Sequence, residues 1–171
     1  MESTSRERRN ALIAEARDIR KLELRDGYGI DDPLFEAWRS GDQETLDRFA
    51  AEIRAEIEAE TEAGVKTRRI KVVSEPLSEY HRFILAISEP LVEAGEDIRW
   101  LPRARASMLL LPGNDFFVLD DKTVIFNVLG GDDQHVDVQV SSDPEIVDLC
   151  VASFEAAWKR SIPYHEYLRT L

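Results

Sequence analysis

Two short apolar runs on either side of a charged turn form the most informative pattern in the chain. Residues 116–119 are apolar and lead into Asp120, Asp121 and Lys122, after which residues 124–126 are apolar again. Continuous apolar runs of this length, joined by a polar turn, are typical of buried strands in a hairpin. Residues 111–127 are therefore predicted to form a buried β-hairpin around which the rest of the chain is arranged.

The chain before residue 64 has a helical pattern. Helices are predicted over residues 5–25, 34–40 and 43–63, with a turn at 26–29 after the first. In the first helix, Leu12, Ala16 and Ile19 fall at helical spacing, while its other faces are densely charged. A narrow apolar stripe of this kind suits a helix that packs on its own domain or against a second copy.

Strand patterns begin after Gly64. Strands are predicted over residues 65–73, 97–101 and 135–140, in addition to the hairpin, and helices over 78–86 and 145–160. The predicted fold class is α/β (α+β): a helical N-terminal third followed by a core with a mixed β-sheet flanked by helices. The expected domains are a helical extension over residues 1–63, packed on a core over residues 64–171.

Composition excludes several classes of function. A formal net charge of −12 disfavours a protein that grips a phosphate backbone, so no direct nucleic-acid binding is expected. No run approaches the roughly 18 apolar residues of a membrane span, and no apolar segment follows the charged N-terminus as in a secretory signal. With Cys150 as the single cysteine, no internal disulfide can form, and a cytoplasmic location is expected.

Most residues with reactive side chains have ordinary structural explanations. Cys150 lies on the apolar side of the last predicted helix, so core packing is favoured over nucleophilic catalysis. Ser74 and Ser78 flank a turn before a helix, where capping explains them better than nucleophilic chemistry. The histidines lack a zinc-like spacing except near His135, where a polar hairpin turn is the simpler explanation. No metal and no cofactor are predicted.

The greater part of the chain resembles a domain of unknown function that is widespread in actinobacteria. The residues that carry this resemblance are Gly64-Val65, Arg68-Arg69, 72–78 with Tyr80 and Arg82, 94–103, 111–116, Phe126-Asn127, Asp143-Pro144, Cys150, Phe154-Glu155, Trp158, Ile162-Pro163 and Glu166-Tyr167. The likeness covers about residues 34–167. It implies an association with helix-turn-helix regulators, beside or fused to which such domains often occur, and it implies no shared activity.

The order of elements is in turn similar to one half of the phospholipase D fold. In that fold, a hairpin carries the motif His-x-Lys-x4-Asp. Aligning this motif with the predicted hairpin places its Asp on Asp120, its His on Gly113 and its Lys on Asp115. Cleavage of a phosphodiester by that mechanism needs an imidazole nucleophile and a cation for the developing charge. The resemblance therefore implies a fold of this type that has lost its chemistry.

A set of arginines in this acidic chain is the best candidate for a binding site. The candidate ligand-binding residues are Arg82, Arg99, Trp100, Arg103, Asn114 and Asp115. Because ligands of open α/β sheets bind beyond the carboxyl ends of the strands, these residues could frame a small anion pocket near 113–115. The alternative is that Arg68, Arg69 and the other arginines form structural ion pairs with neighbouring carboxylates, and this alternative has the greater weight.

Two functions follow from these patterns. The leading hypothesis is a non-catalytic regulatory or protein-interaction module that senses a small anionic ligand and acts with a helix-turn-helix regulator. A homodimer is expected, and the acidic helices over residues 5–25 and 43–63 supply a surface either for self-association or for the partner. The alternative is an enzyme with a repurposed pocket, in which Asp115 or Asp120 is a catalytic base and Arg99 or Arg103 holds an anionic or phosphate-containing substrate.

Overall fold

One mixed β-sheet organises the molecule. In the computed structural model, residues 1–28 and 32–171 are described. Their strands are Glu2–Ser3 (β1), Asp18–Glu23 (β2), Lys66–Val73 (β3), Asp97–Pro102 (β4), Asp115–Leu119 (β5), Thr123–Leu129 (β6), His135–Ser141 (β7) and Ile162–Pro163 (β8). They form an eight-stranded sheet in the order β1-β7-β6-β5-β2-β3-β4-β8. The central strands β2, β3 and β4 are parallel, and the other neighbours are antiparallel.

Helices connect most of the strands. They are Arg6–Glu15 (α1), Pro33–Ser40 (α2), Gln43–Glu62 (α3), Glu79–Ile87 (α4), Glu89–Glu93 (α5), Arg103–Ala106 (α6), Pro144–Trp158 (α7) and Tyr164–Leu168 (α8). Local sequence fixes several starts, because the side chains of Ser5, Asp32, Asp42, Ser78 and Asp143 each accept a hydrogen bond from a backbone N–H of the first turn.

The core lies on both faces of the sheet. On one face, α7 covers the centre of the sheet and buries Cys150 and Phe154 against Leu22, Ile70 and Phe116. On the other face, α1 packs over β5 and β6, while α4, α5 and α8 pack over β3 and β4. Helix α2 contacts α4, and α3 contacts α2 and α5 in an outer layer. Because both faces are covered, charged residues of the central strands must find partners inside the protein.

Most of the predicted elements are present. The mixed sheet flanked by helices is confirmed, as are the 111–127 hairpin, the strands at β3, β4 and β7, and the burial of Cys150. The helix predicted over residues 5–25 is wrong after Glu15, because residues 18–23 form β2, which pairs with β3 and β5 at the centre of the sheet. The end of the turn predicted at residues 26–29 lies outside the described residues.

The predicted helical N-terminal third therefore contains strands as well. Strands β1 and β2 come from residues 1–63, and both hydrogen-bond to strands from residues 64–171. This pairing places β2 between β3 and β5, where it contributes Leu22 to the core under α7. The division of the chain at residue 63 into an extension and a core stays a prediction.

Candidate functional site

The carboxyl edge of the three parallel strands gathers polar side chains from three loops. Asp26 follows β2, Ser74 follows β3 and Arg103 follows β4. Asp26 accepts hydrogen bonds from the backbone N–H and hydroxyl of Ser74, at 2.7 and 2.6 Å, and from Nη2 of Arg103 at 3.2 Å. Arg103 also donates to the carbonyl of Leu24 at 2.7 Å. Burial favours the neutral carboxyl, but the bonds from Ser74 and the charge of Arg103 outweigh it and lower the pKa of Asp26.

His81 lies directly beneath this edge, in the first turn of α4. Its side chain is enclosed, with 1% of the residue exposed, and Nδ1 lies 3.6 Å from Oδ1 of Asp26. That distance is too long for a hydrogen bond, and Nδ1 has no partner among the described residues. Burial, together with the charge of Lys71, lowers the pKa of His81 to about 4. The imidazole is therefore neutral at pH 7 and is closed off from solvent, so a substrate cannot reach it.

A buried ion cluster continues from His81 along the same face of the sheet. Glu23 and Lys71 are directly opposite in the β2–β3 register and form an ion pair, and Nζ of Lys21 lies 2.5 Å from Oε1 of Glu23. Burial opposes ionisation of Glu23, but Lys21, Lys71 and Arg69 hold its pKa well below the ordinary value. Arg69 in turn donates from Nε to Oε1 of Glu96 at 2.6 Å. Each of these charges has a partner of opposite sign, which is the arrangement expected of a structural network.

Asp115, a predicted site residue, is fixed beside the end of β2. Its carboxylate accepts hydrogen bonds from the N–H of Leu24 at 2.8 Å and from the hydroxyl of Tyr28 at 2.5 Å. Burial raises the pKa of Asp115, although the bond from Tyr28 partly opposes this effect. Asp115 therefore connects the start of β5 to the segment that follows β2.

Asp120 lies at the opposite end of β5. It occupies the hairpin tip with φ of 53° and accepts hydrogen bonds from the backbone N–H groups of Arg17 and Asp18, at 2.9 and 2.8 Å. These backbone bonds lower the pKa of Asp120. Five residues of strand separate Asp115 from Asp120 by about 17 Å, so the two carboxylates do not share one site.

The other candidate residues divide between different surfaces. Arg99 packs over the ring of Trp158 on the α7 face, with its guanidinium carbon 4.0 Å from the ring centroid. Trp100 points to the opposite face, where it stacks on Tyr167. The exposed Arg82 donates to the carbonyl of Leu77 at 3.0 Å. Arg99 and Trp100 therefore cannot line one pocket, since consecutive strand residues point to opposite faces.

The structure brings only some of the predicted residues together. Arg103, Asn114 and Asp115 all lie at the carboxyl edge of the parallel strands, where an open cleft of about 410 Å³ is lined by Arg103, Gly113 and neighbouring residues. The arginines also form the ion pairs of the alternative prediction, with Arg68 bonded to Asp18 and Glu155, Arg69 to Glu96, Arg99 to Asp97 and Arg103 to Asp26. Whether the edge binds a ligand stays a prediction.

An apolar groove, which we call the Leu110 groove, lies outside the predicted site. It has a volume of about 620 Å³ and is lined by residues 108–112 and by Leu149, Ala152, Ser153 and Ala156 of α7. Leu110 is 93% exposed and Met108 is 86% exposed. Exposed apolar side chains that form a contiguous patch mark interaction surfaces more often than scattered ones do.

A second cleft, which we call the basic cleft, adjoins this groove. It has a volume of about 560 Å³, shares Met108 with the Leu110 groove, and is lined by Arg105, Lys159 and Arg160 among others, with Glu166 as an acidic neighbour. Within residues 1–28 and 32–171, the side chains of these three cations form no hydrogen bond or ion pair. The cleft is therefore a local concentration of positive charge on a chain whose net charge is −12.

Two further observations limit the chemistry. The described part of the chain contains no group of three or more His, Cys, Asp or Glu side chains placed to hold a metal ion. Among the described helices, none has the length and apolar character needed to cross a bilayer.

The chain belongs to the family described as Domain of unknown function (DUF6879), whose model matches residues 7–169. No curated protein gives a significant match to the sequence. Among solved structures, NucT from Helicobacter pylori is similar over 92% of this chain and 91% of that chain, with 12% sequence identity and a TM-score of 0.48. The family match confirms the predicted resemblance to a domain of unknown function. The likeness to NucT carries no argument about activity.

Sequence reasoning missed the Leu110 groove and the buried pair of Glu23 and Lys71. A signal for the groove exists in residues 108–111, an apolar run between Ser107 and Pro112 that belongs to no strand and only adjoins a short helix. The contact between Tyr28 and Asp115 has no such signal, because 87 residues separate the two side chains in the sequence.

Proposed function

We propose that this protein is a non-catalytic protein-interaction module that acts in a regulatory assembly in the cytoplasm. The observation that carries this proposal is the contrast between its two surfaces. At the carboxyl edge of the parallel strands, Asp26, Arg103 and Asp115 are bonded to groups of the same chain. In the Leu110 groove, large apolar side chains are exposed to solvent.

The paired charges favour a binding module over an enzyme. A general base must reach the proton that it removes, and its lone pairs must be available to the substrate. Both oxygens of Asp115 already accept hydrogen bonds, and the imidazole of His81 is enclosed. Burial of exposed leucine and methionine side chains against a partner, by contrast, lowers the free energy and stabilises the complex.

The proposed partner is a helix-turn-helix transcriptional regulator, which would supply the contacts to DNA. This assignment follows the family resemblance, and the net charge of −12 agrees with a module that leaves DNA binding to another protein. Homodimer formation, predicted from the sequence, is the second proposed assembly. The sheet edges offer little room for it, since the two-residue strands β1 and β8 occupy the outermost positions.

A pull-down from the cytosol of the source organism tests the proposal. Tagged protein is used as bait, and light scattering on the eluate gives the stoichiometry. We expect recovery of a helix-turn-helix protein in a fixed ratio. Recovery of a protein that is monomeric and free of any partner, under conditions in which the regulator is expressed, would contradict the proposal.

A second candidate function is the sensing of a small anion, which the cleft at Arg103 favours. The guanidinium of Arg103 is partly exposed there, with 43% of its side chain accessible, although it is paired with Asp26. Titration with inorganic phosphate, followed by the amide chemical shifts of residues 103–111 and of Gly113, tests this function. Saturable shifts that vanish in Arg103→Ala support it, and shifts that are equal in the variant contradict it.

A further inference from the structure

We infer that the partner contributes an amphipathic helix whose apolar side chains fill the Leu110 groove and whose carboxylates meet the basic cleft. This inference rests on the proposed function and names the kind of segment that the module binds. It follows from three features: the shape of the groove, the position of cations that have no partner among the described residues, and the shortness of the outermost strands.

The shape of the groove suits a helix. One wall is the solvent-facing side of α7, where Leu149, Ala152 and Ala156 recur at steps of three and four residues. The two alanines keep this wall low, so that another helix can approach closely. The other wall is the 108–112 segment, whose Leu110 is almost fully exposed and positioned to enter the apolar stripe of a docked helix.

The groove lacks the features of a site for a small polar ligand. Such sites present a few converging polar groups that orient the ligand. The hydroxyl of Ser153 is the polar side-chain group of the lining, and it already donates to the carbonyl of Leu110 at 3.0 Å. Apolar contact therefore supplies the affinity here.

The basic cleft selects the sign of the partner's charge. Arg105, Lys159 and Arg160 have no side-chain partner among the described residues, and the cleft meets the groove at Met108. A helix that carries Asp or Glu beside its apolar stripe would pair with these cations, while a basic helix would be repelled.

A second copy of this chain fits the surface less well. In a symmetric dimer whose two-fold axis passes through the basic cleft, Arg105, Lys159 and Arg160 would face the same three cations of the other copy. Addition of a partner strand is also disfavoured, since the groove lies between a helix and a loop and the outermost strands β1 and β8 are only two residues long. A partner that contributes an acidic amphipathic helix satisfies both the apolar and the charged parts of the surface.

Photo-crosslinking tests the inference on the full-length protein. Met108→p-benzoylphenylalanine places a crosslinker where the groove and the basic cleft meet, and the attached peptide is sequenced after irradiation in cytosol of the source organism. The double change Lys159→Glu and Arg160→Glu is then added. Lys122→Glu, which alters an exposed lysine at the hairpin tip, is the control for a charge reversal outside the cleft. The thermal midpoint of each variant verifies folding.

We expect the crosslinked peptide to carry apolar residues at helical spacing with acidic residues beside them. We also expect the crosslink yield to fall about tenfold in the double variant and to stay unchanged in Lys122→Glu. Reversal of the acidic residues in the identified partner should restore the yield with the double variant. The inference would be overturned by a crosslink to a second copy or by a peptide without this pattern. It would also be overturned if the double variant crosslinked with the same yield as wild type.

These outcomes separate the inference from the proposed function. If the pull-down recovers a partner in fixed ratio but Met108 does not crosslink to it, the module binds a protein through another surface and only the inference fails. If the pull-down recovers no partner, the proposed function fails, whatever Met108 contacts.

Discussion

Arg103 donates from Nη2 to Oδ2 of Asp26 at 3.2 Å, so the cation at the carboxyl edge of β4 already has a carboxylate from the end of β2. The same guanidinium reaches the hydroxyl of Ser74 at 3.0 Å, which completes a link among the loops that follow the three parallel strands. In an open α/β sheet this edge is the usual place for a ligand. Here the edge is occupied by bonds within the chain, and these bonds should stabilise the fold.

We expect Arg103→Ala to lower the free energy of unfolding by about 1–3 kcal/mol, because it removes hydrogen bonds to Asp26, Ser74 and Leu24. Arg105→Ala is the matched control, since the Arg105 side chain has no partner among the described residues, and it should cost less than about 0.5 kcal/mol. Urea unfolding measures both. Equal stabilities of the two variants would show that Arg103 does not hold the loops together.

The buried pair of Glu23 and Lys71 leads to a second prediction. Lys71→Met should cost about 3 kcal/mol, since it leaves the buried carboxylate of Glu23 with Lys21 as its nearest cation. The double variant Glu23→Leu, Lys71→Met should recover most of this loss, because the two most deeply buried charges are removed together and Lys21, whose side chain is 21% exposed, can reach solvent. A double-mutant cycle in urea measures the coupling, and a double variant less stable than Lys71→Met would refute the pairing.

His81 leads to a prediction about pH. Its pKa is about 4 in the folded protein, against 6.5 ordinarily, so between these values the unfolded chain binds a proton that the folded protein does not. Stability is therefore lost as the pH falls through this window, by up to about 3 kcal/mol from this group. In His81→Leu this part of the pH dependence should vanish.

The measurement is the difference in unfolding free energy between wild type and His81→Leu at pH 7 and at pH 4. Contributions from carboxylates that do not contact His81 largely cancel in that difference, whereas Asp26, which lies 3.6 Å from the imidazole, adds a small contribution of its own. A difference that stays constant across the window would mean that the folded protein protonates His81 as readily as the unfolded chain does.

Strand β2 shows what the sequence could not reveal about the fold. In residues 18–23, Arg20 and Lys21 lie between Ile19 and Leu22, and Glu23 follows. This pattern fits an exposed helix as well as a strand. Alternation of apolar and polar residues marks a strand only when one face of the sheet is exposed to solvent. Both faces of β2 are covered, and Glu23 is charged and buried because Lys71 lies opposite on β3.

Strands β5 and β6 and helix α7 were predictable for the opposite reason. β5 and β6 are mostly apolar and are joined by a polar turn, and α7 carries its buried residues at helical spacing. In these elements the local pattern and the tertiary environment agree.

The candidate site was only partly predictable. The carboxyl edge follows from the order of strands, and Arg103 and Asp115 do lie there. Whether a given arginine faces a ligand or a carboxylate depends on partners distant in sequence, such as Asp26 for Arg103, which lies 77 residues away. No local pattern contains that information.

The proposal that this protein binds a partner through the Leu110 groove is tested most directly by Leu110→Asp. Val136→Asp is the matched control, since Val136 is 69% exposed on the β6–β7 side of the molecule and away from the groove. Both variants should keep the urea midpoint of wild type, because neither side chain belongs to the core.

The quantity to measure is the partner recovered by each bait in the pull-down. We predict at least about tenfold less partner with Leu110→Asp and wild-type recovery with Val136→Asp. Full recovery with a folded Leu110→Asp variant would contradict the account.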